Sequence, residues 1–594
     1  MQPNYSLPNP SATVPRVFTF VLLLLFLSSS PPLQAEWSLL DGAKVHPDYH
    51  GPVPKKSDVI FSTRFKRDNA VEVARSFSAT RIEWVYSTDS EFVRSLQLVA
   101  PWFGGTLSST MPLPKDEGIA RDFDGNPIVA PWMKSWGAKW ITTTDPRTRE
   151  ILQGIARQYL NLGASSIQID DPLLQLRCAD WGGDFSESSI AGFREFLATY
   201  PDQAELERVG IRNPQEFDYK QFLFTSHNIR TAKEYGDRYH GLPTTSLWLR
   251  FLKESVISHY RSFRRYVDEA KGSVVPLSMN LALYGPDESK TEFILAPFAD
   301  YAIVETRIHD LDLVSLQAAT YRALGIGYVP SIVPRTKAEN RAAIATLYAM
   351  GAQPLVPWDV YINNGSDNKP TRFFGSPEDY GDLYRFVRDH AALFDDYDQV
   401  AEVGILVPVD HYLIKATAAL VRRLLRENIP YALVPIGGRT TRYFIDPVRA
   451  THFRVLLTTN PLSDFTPEDL KLVRTLPAEL RSAENVTDEM LTTLSPYANS
   501  GSDRSRLFPR GTSNGERIVL HIIRSRDAGG PPSRQCQKAF EFKSGFFPIS
   551  VGRPLAWHTP KGSQRLTARD ADGRVSIELP DCEQWGMLEI SLGQ

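Results

Sequence analysis

The sequence predicts an α/β chain built on a (β/α)8 TIM barrel, followed by a small α/β domain and a C-terminal antiparallel β domain. Three observations predict it. Between Ser57 and Val360 eight short, strand-like apolar runs alternate with helical patterns, as parallel strands with crossover helices require. The first run leads into Ser62-Thr63-Arg64-Phe65-Lys66, without the glycine-rich turn of a doubly wound sheet, the rival architecture. Beyond Asp395 the pattern shifts to short αβ units, and from about Glu516 to strands separated by turns.

In order, strands are expected at Asp58–Arg64, Arg81–Val85, Gly105–Met111, Ser166–Ile169, Val274–Met279, Tyr301–Glu305, Tyr328–Val333 and Pro354–Val360. The intervening helices include Asn69–Ser76, Ser90–Leu98 and one opening at Asp145-Pro146, where Asp is a plausible cap and Pro suits the first turn. Gly163 ends that helix. A Tyr- and charge-rich insertion, Pro201–Thr245, precedes the long amphipathic helix Leu247–Ala270. The expected parts are a signal peptide at 1–35, the barrel at 36–395, the small α/β domain at 396–498, a Ser-, Gly- and Arg-rich linker at 499–515, and the β domain at 516–594.

Composition excludes several classes. The 594 residues are 42% hydrophobic and 23% charged, ordinary for a globular chain and incompatible with wholesale disorder. A net charge of -3 gives no basic excess for nucleic acid. Three Cys cannot build a disulfide scaffold or a structural zinc cluster, though Cys536 and Cys582 can pair in an oxidising compartment. Arg16 followed by the apolar run Val17–Leu27 and then Ser28–Pro32 reads as an export signal, too short to span a bilayer. A periplasmic or extracellular location follows, with no stable membrane insertion after cleavage.

Chemistry in such barrels sits at the C-terminal ends of the strands. Strand four ends Ile169-Asp170-Asp171-Pro172, strand six Glu305-Thr306-Arg307, strand five at Asn280 and strand eight at Trp358-Asp359. Glycoside hydrolysis needs two carboxylates across the scissile bond. Asp170 as nucleophile and Glu305 as acid, its proton held by partial burial, form the first pair; Asp171 is the alternative to Asp170. Arg64, Glu83, Asn280, Arg307, His309 and Asp359 are candidate sugar ligands, and Trp136, Trp181 and Trp358 candidate sugar-stacking faces. The bland readings are a turn cap for Asp171-Pro172, a Glu305–Arg307 rim ion pair, a buried paired charge for Glu83 and plain core for half the Trp. Arg121–Asn126 lacks an EF-hand spacing and no second His is positioned, so neither metal nor cofactor is expected.

The run Gly163-Ala164-Ser165-Ser166-Ile167-Gln168-Ile169-Asp170-Asp171-Pro172 resembles the fourth strand of bacterial barrel glycoside hydrolases, and Gly192–Leu197 looks like the helix after it. The three-part order resembles the family 42 β-galactosidases, with an amidotransferase- or flavodoxin-like middle domain, which implies possible homo-oligomers. Leu579–Ile590 is similar to the last strands of many glycosidase C-terminal domains. That family carries Asn-Glu after strand four and Glu after strand seven, whereas this chain has Asp170-Asp171 and Ser331-Ile332-Val333-Pro334. An Asp on strand four with an acid on strand six is more similar to the α-galactosidase clan. The expectation is an exported hydrolase of a poly- or oligosaccharide, more retaining than inverting. The rivals are a non-catalytic carbohydrate-binding barrel, a polysaccharide lyase and a metal-assisted hydrolase.

Overall fold

The computed structural model describes residues 54–591 apart from 112–116, 130–133, 135–136, 173, 288–290, 309, 363–370, 439–441, 446–451, 498–504, 514, 525–538, 544–548, 550, 553, 572–573 and 581–583. The expected leader, Trp136, His309 and the Cys536/Cys582 pair lie outside the described residues.

Seven parallel strands stand in chain order around one sheet: β1 (Ile60–Ser62), β2 (Arg81–Val85), β3 (Trp102–Ser108), β4 (Ser166–Asp170), β5 (Leu277–Met279), β6 (Tyr301–Thr306) and β7 (Gly327–Ile332). The eighth position is filled differently from the expectation. Gln353 N–H donates to Tyr328 O and Leu355 N–H to Pro330 O on the β7 side, while Val356 N–H donates to Ile60 O of β1, all at 2.9 Å. Residues 353–356 therefore close the barrel, but Pro354 and Pro357 lack the N–H groups that would extend the ladder. The chain then rises as a separate antiparallel ribbon of β8 (Trp358–Ile362) and β9 (Thr371–Phe374). The third strand also starts earlier than expected, at Trp102, and Thr110–Met111 pairs instead with Lys139–Trp140.

Outer helices follow most strands: α1 (Ala70–Ser76), α2 (Ser90–Gln97), α3 (Pro146–Asn161), α4 (Glu187–Ala198), α5 (Thr245–Lys271), α6 (Leu311–Ala323), α7 (Lys337–Ala349) and α8 (Pro377–Asp389). Their starts obey local chemistry. Asp89 and Asp145 accept from the first-turn N–H groups of Phe92 and Arg147, and Thr336 with Glu339 forms a capping box. The insertion between α4 and α5 is helical, and its Tyr219 packs with Phe185, Phe193 and Trp248. Those rings are core.

The middle part is a parallel sheet of β11 (Val403–Pro408), β12 (Tyr431–Ile436), β13 (Val455–Thr458) and β14 (Glu479–Ser482), ordered β12-β11-β13-β14; β10 (Tyr397–Gln399) precedes it in the chain. The C-terminal part holds β15 (Ser505–Thr512), β16 (Arg517–Arg524), β17 (Ala539–Phe542), β18 (Pro554–Thr559), β19 (Gly562–Thr567), β20 (Arg569–Ala571), β21 (Arg574–Glu578) and β22 (Trp585–Ser591). Its six-stranded antiparallel sheet runs β10-β15-β16-β22-β18-β19. Thus the stretch expected as a linker contains a strand. In β15 the buried positions Ser505 and Pro509 flank Leu507, so only one of the three is a large apolar side chain and the alternation is weak. Among the described residues no helix is long and apolar enough to cross a membrane.

Candidate active site

The site begins with three strand ends. β4 delivers Asp170 and Asp171, β5 Asn280, and β6 Glu305. The Asn280 amide nitrogen donates to Asp170 Oδ1 at 2.8 Å and to Glu305 Oε2 at 3.3 Å, so one N–H2 group bridges both carboxylates. The two oxygens are no farther apart than those two bonds laid end to end. Asp170 also accepts from the Tyr86 hydroxyl and, at 3.1 Å, from the Asp171 N–H. Arg64, buried, reaches Glu305 Oε1 at 3.3 Å from beyond β1.

Asp171 behaves differently from its neighbours. Its backbone is left-handed, φ 51°, an uncommon conformation that sites tolerate when the surroundings enforce it. Burial pushes its carboxyl well above the ordinary range, and the negative charges of Asp170 and Glu305 push the same way against Arg177 and Arg64. The partial burial expected of Glu305 is found here instead, because the Glu305 side chain is 45% exposed. The Tyr86 phenol is likewise pushed far up, by burial and then by the Asp170 charge, so it stays a donor.

Behind these groups stands a wall. The Arg64 guanidinium lies 3.6 Å from the Trp84 ring and 4.9 Å from that of Tyr361. Arg372 lies 3.7 Å from Tyr361 and 5.0 Å from Phe65, and donates to the Tyr361 hydroxyl at 2.6 Å. Tyr86, Tyr361, Arg372 and Phe65 were missed by sequence reasoning. Tyr86 and Phe65 follow strand ends by one and three residues, a signal within reach; Tyr361 and Arg372 depend on the β8–β9 ribbon, which has none.

Several expected ligands are not at the surface. Glu83 is fully buried inside the barrel and accepts from Arg81 at 2.9 Å, Trp102 at 2.8 Å, Tyr301 at 2.9 Å and Ser166 at 3.1 Å. It is the paired structural charge, not a sugar ligand. A Cβ on Gly104 would lie 1.9 Å from its Oε2, so glycine makes room for it. Trp358 stacks on Phe61 at 5.0 Å in the core. Asp359 is also wholly buried, its Oδ1 holding Arg67 at 3.3 Å and Arg372 at 3.4 Å. These two act behind the mouth rather than in it. Trp181, half-buried, stacks on the buried Trp140 at 5.5 Å. Arg307 is exposed beyond β6 and makes no ion pair with Glu305, whose cation is Arg64. Among the described residues no three His, Cys, Asp or Glu gather as a metal site.

The open end of the barrel thus joins carboxylates, an amide and a guanidinium group at the C-terminal ends of the strands, where barrel enzymes place their chemistry. The chain is similar to known proteins in two ways. It is 23% identical over 574 residues to an α-agarase of Thalassotalea agarivorans, covering 88% of this chain and 37% of that one. It is 22% identical over 570 residues to an α-agarase of Alteromonas agarilytica, covering 88% and 38%. The chain thus spans little more than a third of these relatives. Its fold is shared with the α-L-fucosidase isoenzyme 2 of Paenibacillus thiaminolyticus, at a TM-score of 0.60 and 10% identity over 91% of this chain and all of that one. No family model matches the chain.

Proposed function

We propose that the protein is an exported glycoside hydrolase that cleaves α-glycosidic bonds in a polysaccharide of the agar type. The observation that carries the reading is the Asn280 amide joining Asp170 to Glu305 across the open end of the barrel. Asp170 accepts three hydrogen bonds, from Tyr86, Asn280 and the Asp171 N–H, which aim a carboxylate oxygen as a nucleophile needs. It attacks the anomeric carbon while Glu305, on β6 two strands along the barrel, protonates the leaving oxygen and later activates water. One oxygen of each carboxylate bonds the same Asn280 amide nitrogen, and this closeness favours retention over the wider carboxyl spacing of inverting enzymes. The name of the relatives supports the substrate class and the α bond, and the apolar run Val17–Leu27 supports export.

Asp171 supports a second assignment of the proton donor, because its carboxyl is the one that burial and two negative neighbours keep protonated.

The purified chain is to be incubated with agarose oligosaccharides and followed by NMR. Newly formed reducing ends in the α configuration are expected first, with turnover reduced roughly 10²–10⁴-fold or more in Asp170→Asn and Glu305→Gln. Initial release of the β anomer overturns retention. Products that absorb in the near ultraviolet, or unchanged turnover in both variants, overturn the hydrolase reading.

A further inference from the structure

The barrel, the middle sheet and the C-terminal sheet meet at a cavity of about 30 Å³, more room than the ~10–15 Å³ that one water needs. Arg322 of α6 and Arg510 of β15 line it, with Gln399 of β10 and Tyr431 of β12. Arg510 is 2% exposed. A guanidinium has five N–H donors, and that of Arg510 makes one hydrogen bond, to the Tyr397 carbonyl at 3.0 Å. It is seated against Gly351, where a Cβ would lie 2.4 Å from Nη1. Arg322 donates to Gln399 Oε1 and, at 2.7 Å, to the Met350 carbonyl. All these acceptors are neutral.

A counter-charge is missing from this part of the interior. The carboxylate within reach of Arg510 is Asp398, at 3.9 Å, and its side chain is 80% exposed. Lys56 already bonds it at 2.6 Å and shares the Tyr397 carbonyl at 2.6 Å. Among the described residues Arg322 has no carboxylate within 4 Å. Lys56, Arg322 and Arg510 thus share one solvent-facing negative charge. Burial, and then the charge of Arg322, push the Arg510 guanidinium down to about 9, with Asp398 opposing. A buried cation without a buried counter-ion is costly, and an anion in the adjoining space offsets that cost. Guanidinium forks suit an oxyanion in particular, because its oxygens accept paired N–H bonds.

We propose that this cavity is a binding site for a small oxyanion, held by Arg322 and Arg510, which ties the three parts of the chain together. Sulfate, phosphate and a short carboxylate share the required chemistry. The site is built on the outer helices and not on the strand ends of the barrel, so it stands independently of the hydrolase reading.

The full chain is to be titrated with sulfate, phosphate and acetate at fixed ionic strength, with chloride as the comparison ion, by calorimetry and by melting temperature. Saturable binding of at least one oxyanion is expected, with Kd about 1 mM or lower and a melting temperature that rises and then levels off. The general salting effect of sulfate does not level off and acts on every variant alike. Arg510→Gln and Arg322→Gln are each expected to weaken binding about tenfold or more. Lys56→Gln, which removes the same charge from outside the cavity, is expected to keep it. If Arg510→Gln does not fold, Arg322→Gln carries the test. Tightest binding of acetate assigns the site to a carboxylate, and tightest binding of sulfate or phosphate to a tetrahedral anion. No saturable binding of any of the three, chloride binding as tight as any oxyanion, or equal weakening in Lys56→Gln overturns the site, and each leaves the hydrolase reading untouched.

Discussion

Asp170 and Asp171 are adjacent in sequence and opposite in circumstance. Asp170 collects three donors, whereas Asp171 turns on a left-handed backbone into a desolvated place beside two negative charges. The pair was legible from the strand-four ending, but their division was not, since it depends on which side each turns after the strand. The consequence is a pH effect with a definite sign. A carboxyl pushed upward keeps its proton through the acid range and loses it as pH rises. If Asp171 supplies the proton, kcat/KM falls on the alkaline side as that proton leaves, and Asp171→Asn removes this limb with the activity. If Glu305 supplies it, Asp171→Asn leaves the alkaline limb where it was. Profiles of kcat/KM for the parent and Asp171→Asn distinguish the two, and with Glu305 as the acid we expect the limb to stay where it was.

At the scale of the element, β2 shows where alternation stops being a guide. A strand sends every second side chain to one face, and by that rule Glu83 was placed at the mouth. The pairing of β2 with β3 slips between Ile82 and Val85, and Trp84 takes φ 58°. This bulge lets Glu83 point into the barrel and brings Trp84 under Arg64 and Tyr86 to Asp170. The eighth strand failed for a related reason: its prolines close the barrel with few bonds and release a ribbon that carries Tyr361 and Arg372. The element order was legible because eight apolar runs recur with helices between them, but local irregularities carry no periodic signal. The bulge makes a prediction about Glu83. Glu83→Gln leaves Arg81, 4% exposed, without its nearest carboxylate. Breaking a buried pair costs at most about 3–5 kcal/mol, and here less, because Asp58 stays 3.9 Å from Arg81. A lower denaturant midpoint with unchanged KM in the folded fraction is expected, and a raised KM at unchanged stability would return Glu83 to the list of sugar ligands.

For the whole molecule, the three-part order was readable from changes in periodicity, but the way the parts interlock was not. Leu316 and Ala319 of the barrel helix α6 belong to the core of the α/β part, and Val519, Ile523, Trp585 and Met587 of the C-terminal sheet belong to the core of the barrel. The packed interior also buries histidines, one inside the barrel part and one where the C-terminal sheet meets it. His259, on α5, is buried with neither ring nitrogen hydrogen-bonded, and burial with nearby Arg149 lowers it to about 4. His521, between barrel and C-terminal sheet, is held well below its ordinary value by burial and accepts from Trp585 Nε1 at 3.3 Å. The sign follows from linkage. The unfolded chain protonates these rings near pH 6.5 and the folded chain does so only lower, so their contribution is present above pH 6.5 and is lost as pH falls through 6.5 towards 4. For His259 the loss amounts to about 3 kcal/mol. Asp300 opposes it in part: burial raises that carboxyl to about 6, so its protonation favours the folded state over much of the same window. The difference between parent and variant isolates the histidine. His259→Leu is expected to flatten the fall in stability between pH 7 and pH 4.5, measured by denaturant titration at each pH, and an acid slope as steep as the parent's would show that the ring is solvated.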